Sequence, residues 1–210
     1  MALLKQDELN QIAIPYEQYF GEMGLSQSEI DRRIALAEAL DDVFIMYFLL
    51  IESDRTLGRE LDVNYYVDYI TRNYEDVLVK FGIDTESKYP ALPAHIKQAA
   101  DEVVKQNKEK PDDAWYTSDD RAMVIAENET NAICEYTEFQ DAVDSGKTKK
   151  TWNTMVDFRV RHTHMELEGK TIPIMDRFVV GKYEMYQPKD TSLGAGMEEI
   201  AGCRCWCTYT

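Results

Sequence analysis

The feature that most restricts the fold of this chain is a change of hydrophobic period at Gly146. Ahead of it, apolar residues recur three and four positions apart; behind it, they fall into short runs rich in Thr, Val, Ile and aromatic residues, broken by Gly, Pro and Asp. The first pattern belongs to amphipathic helices and the second to antiparallel strands and hairpins. Helices followed by strands, without alternation, define an α+β chain. The expectation is a long-helix N-terminal region followed by a smaller C-terminal domain of helix plus antiparallel sheet.

Within the helical part, residues 3–23 read as a helix broken by Pro15, with Tyr16, Tyr19 and Phe20 supplying an aromatic face suited to an arm or a docking element. Ser26-Gln27-Ser28-Glu29 is a capping box, and Ile30, Ile34, Ala37, Leu40, Phe44, Tyr47, Phe48 and Ile51 follow at helical spacing until Gly58. The second half of this helix, 43–51, is apolar all round, which calls for enclosure by other helices or by a partner. Asp62 caps a third helix whose stripe is Tyr66, Ile70, Val77 and Phe81, with Gly82 as its stop. A shorter helix follows over 94–106, in which His95 reads as an ordinary surface residue. Lys-Glu-Lys-Pro-Asp-Asp at 108–113 is the best linker, so the domains are placed at 1–110 and 114–210. Beyond it, Ser118 caps a helix that Gly146 ends, with Met123, Ala126, Ile133, Phe139 and Val143 on its apolar side. Strands are expected over 150–155, 171–174, 177–183 and 203–209.

Charge narrows the function. A formal net charge of -16 over 210 residues argues against a protein that coats nucleic acid, because phosphate binding draws on lysine and arginine. One local exception runs from Lys147 to His164, where Lys147, Lys149, Lys150, Arg159 and Arg161 face a single acid, Asp157, and where a local DNA contact is conceivable. The N-terminus lacks the pattern of a signal peptide, and no apolar run approaches the ~18 residues that span a bilayer, so synthesis in a cytoplasm is expected.

Two segments carry the chemistry. Residues 157–164, Asp-Phe-Arg-Val-Arg-His-Thr-His, hold an acid, two arginines and two histidines, and Cys203, Cys205 and Cys207 alternate with Arg204 and Trp206 further on. On a strand the three cysteines would share one face. Three readings stand open. His162, His164, Cys203 and Cys205 offer the nitrogen and sulfur ligands that zinc prefers. Without metal, Asp157 would pair with Arg161, Arg204 with Glu129 or another acid, and His164 would hydrogen-bond across to the cysteine strand. In the third, His164 is a general base beside a cysteine nucleophile. The first two make the turn at 157–164 pack against the 203–207 strand.

The C-terminal half also carries an ordered set of features over about 121–206: Arg121-Ala122 with Ile125-Ala126 and Glu129 on a helix, Lys150-x-Trp152, Asp157-x-x-Val160-Arg161-x-x-His164, Gly169, Phe178, and a closing Cys203-Arg204-Cys205. In these it resembles the phage Mu F-like domain of minor head, or head morphogenesis, proteins. Where the family usually reads Ala-Arg-Thr-Glu, this chain has Ala126-Glu127-Asn128-Glu129, and Gly202 replaces a frequent Asn. The resemblance implies a virion component of a tailed bacteriophage, placed in the capsid interior or at the portal vertex after assembly in the host cytoplasm. It implies the portal protein and other capsid proteins as partners, several copies, and a part in procapsid assembly, DNA packaging or ejection. Neither a cofactor nor a catalytic residue is implied, and Arg121, Glu129, Trp152, Asp157, Arg161, His164 and Arg204 are expected to form a structural polar cluster.

The alternative is a Mu F-domain effector or toxin-like enzyme that uses His164, Cys203 and Cys205, because such domains also occur beside enzymatic ones in longer chains. Against it, no further domain is expected after Thr210, and the N-terminal half has no Gly-rich phosphate loop or nucleophile elbow.

Overall fold

The structure, a computed structural model, describes residues 13–85 and 87–210. The first part of the helix expected over 3–23 lies outside the described residues; α1 (Tyr16–Gly21) starts directly behind Pro15, which occupies its N-cap. Ser26 then accepts a hydrogen bond from the Glu29 amide and opens α2 (Gln27–Thr56), a helix of 30 residues and about 45 Å. The Asp62 carboxylate accepts from the amides of Asn64 and Tyr65 and opens α3 (Val63–Lys80). Pro93 sits in the first turn of α4 (Leu92–Glu109), where its missing N–H is no loss. A 3-10 turn (Ala114–Thr117) leads to Ser118, whose hydroxyl caps α5 (Asp119–Asp144).

Beyond α5 the chain builds β1 (Lys149–Asn153), α6 (His162–Met165), β2 (Thr171–Pro173), β3 (Phe178–Val180), β4 (Tyr183–Met185), α7 (Met197–Ile200) and β5 (Trp206–Tyr209). The sheet order is β2-β1-β5, antiparallel throughout, with Trp152 opposite Cys207; β3 and β4 form a separate hairpin. The strand expected over 177–183 is therefore a hairpin turning at Gly181, whose φ is 59°. The strand expected over 203–209 begins only at Trp206, so Cys203 and Cys205 lie on irregular backbone.

Two hydrophobic clusters result. One is built from α1 to α4 and includes Phe20, Leu40, Phe44, Tyr47, Ile70, Leu78 and Val104. The second holds Trp152, Phe178, Val180, Met185, Ile200 and the three C-terminal cysteines. The linker at 108–113 does not divide the first, because Ala122, Ala126, Ile133 and Tyr136 of α5 belong to it. What separates the clusters is α5 itself, which buries Glu127, Asn128, Glu129, Asn131 and Glu135 together with its apolar residues. Such a helix is two-sided: one flank completes the helical core, and its buried polar groups divide between the other helices and the C-terminal segment.

Candidate functional site

The segments 157–164 and 203–207 do pack together, with different partners from those expected. The Asp157 carboxylate turns back to accept from the Arg159 amide at 2.9 Å, an Asx turn that shapes the approach to α6. Its other oxygen pairs with the Arg204 guanidinium, which also reaches Glu22 at 3.3 Å. Arg161, at the N-cap of α6, donates to the Ala201 carbonyl. Arg204 thus meets another acid than Glu129, as the second alternative had it, while the expected Asp157–Arg161 pair is corrected to Asp157–Arg204, with Arg161 on a backbone carbonyl. The reason is geometric: position 161 opens a helix and aims its side chain at the 201–203 turn, leaving Asp157 to the nearly buried Arg204.

One turn into α6 stands His164, 2% exposed. Its Nδ1 lies 3.4 Å from the sulfurs of both Cys203 and Cys205, and its Nε2 lies 3.0 Å from Glu199 Oε2. Glu199, on α7, is held in turn by the Thr163 hydroxyl at 2.8 Å. Room for that carboxylate exists because residue 181 is glycine: a Cβ there would sit 2.6 Å from Glu199 Oε1. Trp152 meets the imidazole edge-on at 5.6 Å and Phe178 at 5.1 Å, closing the site from the sheet side. The Cys205 amide donates to the Cys203 sulfur at 3.4 Å. A hydrogen bond from Cys205, outweighing burial, together with His164, holds the Cys203 thiol well below its usual range, while burial and the neighbouring Cys203 push Cys205 up. Burial works against charge on His164, but Cys203 beside it wins and leaves its pKa raised.

His162 is a correction. It is exposed on the outer side of α6 and pairs with Glu166 at 3.4 Å, because two residues along a helical turn point away from each other. Cys207 also stands apart from the donors of His164, Cys203 and Cys205, and its backbone amide donates to Glu135 Oε2 at 3.0 Å.

The polar side of α5 binds the C-terminal loop. The Asn128 carbonyl oxygen accepts from the Gly202 amide at 3.0 Å and from the fully buried Lys189 ammonium. The Asn131 amide donates to the Cys205 carbonyl at 3.2 Å, and its oxygen accepts from Arg33 of α2 at 2.9 Å. Glu129 faces α3 and α4 instead, with the Tyr74 hydroxyl at 3.1 Å and His95 Nε2 at 2.9 Å. His95 is therefore buried, against the expectation of a surface residue. Arg121 ties the start of α5 to α4 through Asn107 and Gln106 and stacks over Tyr116 at 4.7 Å; burial pulls its pKa down to about 10. So the expected polar cluster splits: Asp157, Arg161, His164, Trp152 and Arg204 gather around the cysteines, while Arg121 and Glu129 serve the helical side.

Lys147 and Lys149 are exposed, but Lys150 is not available to DNA. Its ammonium sits between Phe139, Phe178 and Tyr186 at 4.9, 5.5 and 5.3 Å, and burial pushes its pKa down to about 8. The alternation of β1 decides this, since position 150 faces inward with Trp152.

Glu199, Lys189, Asn131, Glu135 and Arg33 were not legible as site residues. The one signal was the spacing of Asn128, Asn131 and Glu135, polar groups on one stripe of a helix that is otherwise apolar enough to be buried. A groove of about 260 Å³ runs between α4, α5 and α7, past His95, Trp115, Arg121, Glu129 and Met197.

A small sheet clasped by an α7–cysteine loop onto a two-sided helix defines an α+β domain with a closed polar centre. The family described as Phage Mu protein F like protein matches residues 91–208, and the chain belongs to that family. No curated protein and no solved structure matches the chain. The match begins at α4, so the family unit includes the helix that carries His95. The family is one of phage head morphogenesis proteins, which places the chain with the structural components of the virion. Among the described residues no helix is long and apolar enough to cross a membrane.

Proposed function

We propose that this chain is a minor capsid protein that docks at the portal vertex in several copies and acts in procapsid assembly, DNA packaging or ejection. Membership of the Mu F-like family over 91–208 carries the reading. Two properties support docking on protein rather than on DNA. The net charge of -16 repels phosphate, and with Lys150 buried a DNA contact at this edge would rest on Lys147 and Lys149. On α2, whose inner side holds the helical core, Met46 and Leu49 project one turn apart on the outer side, 53% and 61% exposed. Paired exposed apolar residues suit a protein contact.

The test is co-expression with the portal protein of the same phage. Co-purification is expected, and it should fail for Met46→Asp combined with Leu49→Asp while the circular dichroism spectrum is unchanged. Absence of the wild-type chain from purified heads and from portal complexes would overturn the proposal.

The effector-enzyme reading is favoured by one observation, the order Cys203, His164, Glu199 at hydrogen-bonding distances. Against it stands access: His164, Cys203 and Cys205 are each 2% exposed, and a nucleophile has to reach its substrate.

A further inference from the structure

We propose that His164, Cys203 and Cys205 are the protein ligands of a zinc ion, with Glu199 as the carboxylate that orients the histidine. The proposal is independent of any role at the portal. It rests on four observations.

First, the three donor atoms surround a common point. Nδ1 of His164 is 3.4 Å from each of the two sulfurs, and all three donors lie within 4.8 Å of one another. Zinc bonds of ~2.0 Å to nitrogen and ~2.3 Å to sulfur, at a tetrahedral angle, require a nitrogen–sulfur separation of about 3.5 Å. A hydrogen bond from one imidazole nitrogen would serve one sulfur well. Two sulfurs equidistant from it is the arrangement of ligands around an ion.

Second, the far side of the imidazole is already engaged. A ligating histidine commonly places its other nitrogen on a carboxylate, which fixes the tautomer and the ring orientation. Here Nε2 meets Glu199, Glu199 meets Thr163, and Gly181 leaves the space that this carboxylate fills. The stack of supports ends at the imidazole, with Trp152 fixing the ring plane.

Third, the backbone amide of Cys205 donates to the Cys203 sulfur, a bond that strengthens with negative charge on the sulfur. Fourth, the site is sealed and charge balance favours an ion there. Two buried thiolates would be costly alone, whereas two thiolates with one divalent cation are neutral overall. Zinc fits because soft thiolate with imidazole is its donor set. Cys207 lies outside the group of donors that approach one another, and His162 is outside on α6, so neither is a ligand. Three protein donors leave the fourth corner to a water molecule.

The experiment uses the full chain, expressed in zinc-supplemented medium, desalted, and analysed for metals by mass spectrometry. About one zinc per chain is expected, falling below about a tenth in Cys205→Ser and in Cys203→Ser, and unchanged in Cys207→Ser and His162→Ala. Because the serine variants can lose metal merely by failing to fold, cobalt(II) is also exchanged into the wild-type protein. Sulfur-to-cobalt charge-transfer bands with intense tetrahedral ligand-field bands support the assignment, and bands of oxygen and nitrogen ligation alone overturn it. Zinc-free folded protein after refolding with zinc overturns it too. So does zinc retained by the Cys203→Ser/Cys205→Ser double variant, copper(I) in place of zinc, or a Cys203–Cys205 disulfide in protein from a reducing cytoplasm.

Discussion

Replacing Arg33 by methionine tests whether the N-terminal helices are part of the folded unit that contains the cysteines. Arg33 is fully buried on α2 and donates to Glu29 at 3.0 Å, Asn131 at 2.9 Å and Glu138 at 2.6 Å. Methionine keeps most of the stem, so the cavity contribution is small and the loss is polar. The side chains of Glu29 and Glu138 are 27% and 34% exposed and regain water, which limits each loss to roughly 0.5–1 kcal/mol. Asn131 is fully buried, and its oxygen left without a donor costs about 1–3 kcal/mol. The sum is on the order of 3 kcal/mol, to be read as a shift of the urea midpoint with unchanged slope, monitored by circular dichroism. Arg33→Lys, which reaches fewer acceptors, should fall between. A second readout distinguishes coupling from local damage, since the Asn131 amide also holds the Cys205 carbonyl. Thiol labelling of the native protein should quicken in Arg33→Met. A cost below about 0.5 kcal/mol, with labelling unchanged, would refute the argument that α2 and the cysteine loop are joined through Asn131.

Glu127 predicts a pH dependence. Burial raises its carboxyl from 4.5 to about 8, despite the opposing charges of Lys189, Arg159 and Arg204. Folding therefore takes up a proton between these values, the stabilisation is complete below pH 4.5, and it is lost as pH rises to 8. The slope from this group is up to about 1.4 kcal/mol per pH unit. Glu127→Gln should remove it, so the difference between wild type and variant, from urea titrations at several pH values, should favour the variant increasingly toward pH 8; a flat difference would count against a neutral Glu127. For the clasp, a double-mutant cycle of Asp157→Asn and Arg204→Ala should give a coupling of about 1.5–3 kcal/mol, the range for hydrogen bonds to charged groups. A coupling near zero would mean that Glu22 alone serves Arg204.

The elements were legible where a single physical cause sets them. Ser26, Asp62 and Ser118 were readable as caps, and each accepts from an amide in its helix's first turn. The fold class followed from the change of period at Gly146, which ends α5 with a φ of 76°. The meeting of 157–164 with 203–207 was legible from density of polar chemistry, but the pairing was not. Which carboxylate an arginine meets depends on where α6 and the 201–203 turn aim their side chains, and no local pattern encodes that. His95 was misread because a lone histidine near a helix start has no signature of burial; its partner Glu129 comes from another helix. Lys150 was misread for charge, although its alternation with Trp152 placed it on the inner face of β1.

The polar interior of α5 fixes how that helix sits between the helical core and the C-terminal sheet. A helix with apolar residues on two flanks has no hydrophobic reason to prefer one rotation about its axis. Polar groups remove that freedom, because each buried donor or acceptor left unpaired costs about 1–3 kcal/mol. Glu129 takes Tyr74 and His95 on the helical side besides its neighbour Asn128, and Asn131 is met by Arg33 and Cys205 from opposite sides at once. Asn128 needs Lys189 and Gly202 from the C-terminal loop. One rotation and one translation of α5 meet all of these together. The loop so positioned is the one that carries Cys203 and Cys205 to His164, so the helix that sets the register between the two cores also sets the geometry of the sulfur site.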